Sequence, residues 1–150
     1  MHTHAYYMDM AIEQALEAQE QGEVPVGAVA VFDNKVIARA HNSSISLRDP
    51  TAHAEILALR QAGLALGNYR LTGLSLYVTI EPCIMCAGAM LHARIRQLVF
   101  GARDEKAGAL TLFDLFHNTR MNHRIEAVAG VRESATAILL QEFFKKKRRS

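Results

Sequence analysis

Val26-Gly27-Ala28-Val29-Ala30-Val31-Phe32-Asp33-Asn34-Lys35-Val36-Ile37-Ala38-Arg39-Ala40 reads as two strands and the turn between them. Residues 26–32 form an apolar, β-branched run, and Asp33-Asn34 supplies a two-residue turn into a second run over 35–40. Such a hairpin pairs its strands antiparallel. On either side of it the pattern changes to a helical period. Residues 3–20 place Tyr7, Met10, Ala11, Gln14, Ala15 and Ala18 on one face and stop near Gly22. Asp49-Pro50-Thr51 offers helix-start residues for a helix running to about Leu66, ended by Gly67-Asn68.

Further along, residues 74–80 predict a buried strand, and Pro82 is placed to open a helix through about His92. Short strands follow at 97–100 and 125–129. A closing helix spans 131–147, with Ala135, Ile138, Leu139, Glu142 and Phe143 at helical spacing. Strands alternating with helices predict a layered α/β domain, and the opening hairpin makes its sheet mixed instead of purely parallel.

The 150 residues suit one domain, 1–150, with half of them apolar and 21% charged. No apolar run reaches the roughly 18 residues that span a bilayer. Met1-His2-Thr3-His4-Ala5 lacks the charged and apolar regions of a secretory signal. Both cysteines fall in one Cys-x-x-Cys, leaving none to staple distant segments, which predicts a reducing, cytoplasmic setting. The net charge of +2 is uneven. Residues 145–149 (Lys-Lys-Lys-Arg-Arg) carry +5, and without them the chain is at −3. This basic end either steers the chain toward phosphates or is a solvated helix end whose cations suit the dipole.

Two short motifs carry chemistry: His53-Ala54-Glu55 and Pro82-Cys83-Ile84-Met85-Cys86. Singly each is weak, since a histidine is usually an ordinary helix residue, Cys-x-x-Cys also serves redox chemistry, and a first-turn Glu complements the helix dipole. Jointly they supply three soft ligands, His53, Cys83 and Cys86, matching a catalytic zinc site that keeps its fourth position for water. Cys83 and Cys86, three apart at a helix start, share a face where thiolates are favoured. Glu55 is left over as a carboxylate for moving protons. His-x-Glu followed by Pro-Cys-x-x-Cys is the signature of zinc nucleobase deaminases.

The resemblance extends to Glu23-Val24-Pro25-Val26-Gly27, Asp49-Pro50-Thr51-Ala52-His53-Ala54-Glu55, Asn68-Tyr69-Arg70-Leu71, Glu81-Pro82-Cys83-Ile84-Met85-Cys86-Ala87-Gly88-Ala89-Met90, Val99-Phe100-Gly101-Ala102-Arg103-Asp104 and Met121-Asn122-His123-Arg124. Over roughly residues 5–147 the chain resembles the bacterial tRNA-specific adenosine deaminases of the cytidine deaminase superfamily, a combination that separates it from free-cytidine deaminases. The resemblance implies a cytidine deaminase-like three-layer α/β/α fold with a mixed five-stranded sheet. It also implies a homodimer, one Zn²⁺ per chain, and conversion of adenosine to inosine at the wobble position of a tRNA anticodon. In that reading His53, Cys83 and Cys86 bind zinc and Glu55 shuttles protons. Asn42 and Asp104 match substrate-binding positions; without the resemblance, Asn42 reads as a turn residue and Asp104 as a cap or turn. A free base or nucleoside such as guanine or cytidine is the alternative substrate, and a non-enzymatic module with structural zinc is a third reading.

Two features stand apart. After Asp104-Glu105-Lys106-Ala107-Gly108 the chain runs Ala109-Leu110-Thr111-Leu112 and is one residue shorter than the family pattern. The Leu- and Phe-rich stretch 110–116 reads as buried core or as a dimer surface. Phe143-Phe144 before the basic run resembles the family's terminal helix beside RNA, with one of the two rings expected in the core.

Overall fold

The computed structural model describes residues 1–149, the side chain of Arg149 excepted. The hairpin forms as β1 (Gly27–Phe32) and β2 (Lys35–His41). Asp33 and Asn34 both take positive φ (53° and 62°), the backbone of the two-residue turn whose twist matches paired strands. A register shift between Ala30 and Val31 leaves Ile37 unmatched, a bulge in the β2 edge.

β3 (Ser75–Ile80) lies antiparallel to β1, and β4 (Gln97–Ala102) and β5 (Glu126–Val128) then add in parallel. The order β2-β1-β3-β4-β5 gives the mixed five-stranded sheet that was expected. Alternation along the strands divides the core. Val29, Val31, Tyr77 and Val99 face α1 (His4–Glu20), packing on Tyr7, Met8 and Ala11. Ala28, Ala30, Leu76, Val78, Leu98 and Phe100 pack with Ala58 and Ala62 of α2 (Ala54–Leu66) and with Ala87 and Met90 of α3 (Ile84–Ala93). Helices on both faces make the three layers, and burying each large apolar side chain contributes about 1.5–3 kcal/mol.

α1 sits unusually close to β1. Ala11, Ala15 and Ala18 are fully buried, and a Cβ at Gly27 would collide with the Ala11 carbonyl and the Ala15 amide. Only small residues on both partners permit that approach. Thr3 caps α1, its hydroxyl accepting from the Tyr6 amide at 3.1 Å.

Several boundaries differ from the sequence reading. α2 starts at Ala54, after Asp49 has made a local turn with its Oδ1 accepting from the Thr51 amide and hydroxyl. Gly67 ends it in the left-handed conformation (φ 65°), as expected. Pro82 does not open α3; the helix begins at Ile84 with Cys83 as N-cap. The stretch 110–116 splits into a five-residue α4 (Ala109–Phe113) and a 3₁₀ turn (Leu115–His117). Ala109 and Phe116 are buried, whereas Leu112 and Phe113 are exposed, so core is the wrong reading for its middle.

The closing helix α5 (Glu133–Arg149) packs through Thr136 and Leu140, not through Ala135 and Ile138, which are exposed. Thr136 decides that face. Its hydroxyl accepts from the Ala102 amide at 3.0 Å and lies where a Cβ on Gly101 would stand. Neither ring of the Phe pair enters the core: Phe143 is half-buried and Phe144 is 44% exposed, edge to face at 5.4 Å. Of the basic end, Ser150 and the side chain of Arg149 lie outside the described residues.

Candidate metal and catalytic site

Strands β2 and β3 each deliver the chain to a helix start at the same edge of the fold. His53 is the N-cap of α2 and Cys83 the N-cap of α3, and neither side chain caps its own helix. His53 thus precedes the first turn of α2, although Asp49-Pro50-Thr51 as the helix start would have put it inside the helix. Freed from capping, the two side chains turn toward each other. Cys86, in the first turn of α3, is fully buried beside them.

His53 Nδ1 lies 3.7 Å from Cys83 Sγ and 3.5 Å from Cys86 Sγ, and all three donor atoms fall within 4.8 Å of one another. Tetrahedral zinc with ordinary Zn–N and Zn–S bonds requires N···S edges of about 3.6 Å. The cradle therefore fits a zinc-sized ion, with two sulfurs and one imidazole as its donor set and no fourth side chain in the group. Its thiols are unlike one another. Hydrogen bonding from Cys86 is the largest cause that brings Cys83 down to about 4, outweighing its burial, and the His53 ring adds to it. The same bond from the other side, together with burial, pushes Cys86 up. The Cys83 partner also raises His53 against the opposing effect of burial.

Glu55 is the second residue of α2 and only 3% exposed. Burial pushes its carboxyl up to about 7, against hydrogen bonding from its own amide and the nearby His53. His53, Glu55 and Cys83 line one cavity of about 900 Å³. Asn42 and Asp104 line it too, as do Phe144, Lys147 and Arg148 of α5.

Asn42 and Asp104 also have structural work. Asn42 Oδ1 accepts from the Ala54 amide at 2.8 Å, giving α2 the cap that His53 withholds. Asp104 Oδ1 accepts from the amides of Lys106 and Ala107 at 3.0 and 3.1 Å, a turn role of the kind its residue type suggested.

Two buried carboxylates beside the cavity carried no assignment in the sequence reading. Glu23 accepts from the amides of Ile45 and Ser46 at 3.1 and 2.8 Å and holds the loop after β2. Glu81, at the end of β3, accepts from Asp104, Leu110 and Thr111. The available signal was a lone acid at the edge of each apolar strand run, a costly residue to bury without donors.

Comparison with known proteins follows the same lines. The family described as MafB19-like deaminase matches residues 2–148. A tRNA-specific adenosine deaminase of Bacillus subtilis (strain 168) is 47% identical over 144 residues, covering 95% of this chain and 89% of that protein. The one from Haemophilus influenzae is 50% identical over 143 residues, covering 94% and 83%. A solved structure from work on A-to-I editing by tRNA:A34 deaminases superposes with a TM-score of 0.87 at 46% identity, covering 90% of this chain and 99% of that one. A guanine deaminase from Bacillus subtilis is more distant, with a TM-score of 0.67 at 28% identity over 99% and 96% of the two chains. Sharing close to half its residues with these tRNA enzymes along nearly its full length, the chain belongs to the tRNA-specific adenosine deaminases.

Proposed function

We infer that the chain is a hydrolytic deaminase that converts adenosine to inosine at the wobble position of a tRNA anticodon. The observation that carries the chemistry is a buried carboxylate, Glu55, lining the same cavity as a two-thiol, one-imidazole cradle. His53, Cys83 and Cys86 would hold one Zn²⁺, which supplies, when bound, a Lewis acid that makes water nucleophilic near neutral pH. The reaction forms a C–O bond at C6 of the purine and breaks the exocyclic C–N bond, consuming water and releasing ammonia. Glu55 takes one proton from the attacking water and gives it to the ring nitrogen, then takes the remaining proton from the new C6 hydroxyl and gives it to the departing amine. The whole sequence involves no change of oxidation state.

Asn42 spends its oxygen on the Ala54 amide, so its amide nitrogen is the end available to the base. Asp104 lines the same cavity, and its 104–107 turn would support the nucleotide. Phe144, Lys147 and Arg148 extend the cavity toward the RNA strand with a ring for stacking and cations for phosphates. Residues 1–150 act as one zinc-dependent deaminase domain. The exposed apolar side chains Leu64, Tyr69 and Ile84, beside a groove lined by Ile56, Leu59 and Ala89, support a homodimer through the α2–α3 face. No helix among the described residues is long and apolar enough to cross a membrane, and the lack of any disulfide partner beyond the Cys pair fits a cytoplasmic enzyme.

Incubating total tRNA with the protein and sequencing it tests the reading: A at the wobble base becomes read as G, while free adenosine is left intact. Free guanine or cytidine turned over as fast as tRNA would favour the alternative substrate class.

A further inference from the structure

Glu81 is 2% exposed, and every hydrogen bond of its carboxylate is made with the one segment 104–111. Oε1 accepts from the Asp104 amide at 3.0 Å and the Thr111 hydroxyl at 2.6 Å. Oε2 accepts from the amides of Leu110 and Thr111 at 3.0 and 2.7 Å. Those two amides belong to the first turn of α4, which follows Gly108 as N-cap and has no side-chain cap of its own. Glu81 is therefore the missing cap, supplied from a strand end about thirty residues away.

Two backbone bonds reinforce the junction: the Glu81 amide donates to Ala102 and the Ala109 amide donates to Pro82, both at 2.9 Å. The fit leaves no spare room. A Cβ on Gly108 would overlap the Glu81 carboxylate. The run Ala109-Leu110-Thr111 ends with the Thr111 hydroxyl on this carboxylate, which closes the junction. The segment so fixed, 103–107, forms one wall of the catalytic cavity, and the residue after Glu81-Pro82 is the ligand Cys83.

We propose that Glu81 is a positioning residue for the deamination: it locks the 104–111 segment to the ligand-bearing turn, so that the cavity wall is set for the RNA before the RNA arrives. Its oxygens are occupied by these donors, so it acts through Asp104 and its neighbours and does not touch the base. The proposal rests on the tRNA deaminase reading for its substrate, but not for its geometry.

The test compares the metal-loaded wild type with Glu81→Gln and Thr111→Val, using an anticodon stem-loop RNA and amide hydrogen exchange without RNA. Glu81→Gln places an NH₂ against N–H donors and should raise KM about tenfold, with bound metal and kcat within about twofold of wild type. Thr111→Val removes one bond and should give a smaller KM change in the same direction. Exchange should accelerate at Asp104, Leu110 and Thr111 in Glu81→Gln and stay unchanged in α1. Unchanged exchange at those amides overturns the proposal, as does a loss confined to kcat and metal content. A wild type inactive on the RNA defeats the substrate reading, and the exchange result alone then decides for or against Glu81.

Discussion

Asn42 Oδ1 accepts the Ala54 amide at 2.8 Å, fastening the end of β2 to the first residue of α2, next to His53. In the proposed reading this side chain serves two purposes, since its nitrogen is left for the base. Replacement separates them. Asn42→Ala should cost about 1 kcal/mol and lower Tm by about 2–4 °C, along with activity. Asn42→Asp restores the cap, and with it Tm, but offers no donor to the base. Thermal unfolding and inosine formation, measured on both variants, check the split: recovery of activity in Asn42→Asp would remove the amide from substrate binding.

Glu55 pays for its place in the fold, being buried in the cavity floor with its carboxyl pushed up by desolvation. Glu55→Ala should keep one metal per chain and lose at least about 10²-fold in turnover. Metal content by elemental analysis and single-turnover assay on tRNA report the two properties independently. Turnover near wild type would end the proton-shuttle role.

Glu23 is held below the ordinary carboxylate range; burial alone would raise it, but the Ser46 and Ile45 amides overcome that effect. A group depressed in the folded state stabilises above its unfolded value, about 4.3, and that contribution disappears as pH falls through the folded value. Glu23→Gln should therefore lower stability by about 1–3 kcal/mol at pH 7. The gap to wild type should narrow as pH falls from neutrality into the acid range below the unfolded value. Urea unfolding across that range measures it, and a pH-independent gap would mean the charge is immaterial.

Lys147 and Arg148 line the α5 end of the cavity, Lys147 with its ammonium 5.7 Å from the Phe143 ring centre. Replacing both by Ala should weaken RNA binding and flatten the slope of log affinity against log salt by about 1–2. Filter binding from low to moderate salt reads the slope. An unchanged slope would place the RNA elsewhere.

Much of this architecture is legible in the chain itself. The β1–β2 hairpin follows from Asp33-Asn34, because only a turn tolerant of positive φ joins two apolar runs with two residues. The Gly67 stop follows from the same tolerance of left-handed backbone. His53, Cys83 and Cys86 meet as the joint signature implied. The helix starts differ from those expected because the groups of Asp49 and Pro82 are engaged in other bonds, one local and one long-range. Asp49 closes a turn with Thr51, and the Pro82 carbonyl takes the Ala109 amide. The buried face of α5 was illegible because a polar residue, Thr136, defines it through a bond to β4. α4 escaped because five residues are too short to display a period. Glu23 and Glu81 had no visible role because most of their partners are backbone amides, which every residue offers.

His53 stands thirty positions before Cys83, and the structure brings their side chains within 3.7 Å. Seen from the unfolded chain, this cradle is a clasp: an ion held there closes a loop containing β3 and all of α2. Closing a loop of that length removes conformational entropy worth about 3–4 kcal/mol, comparable to a disulfide. With an ion bound, a chain whose two cysteines both serve as ligands would gain a cross-link that reduction does not break, and its loss under chelation would register as melting as well as inactivity.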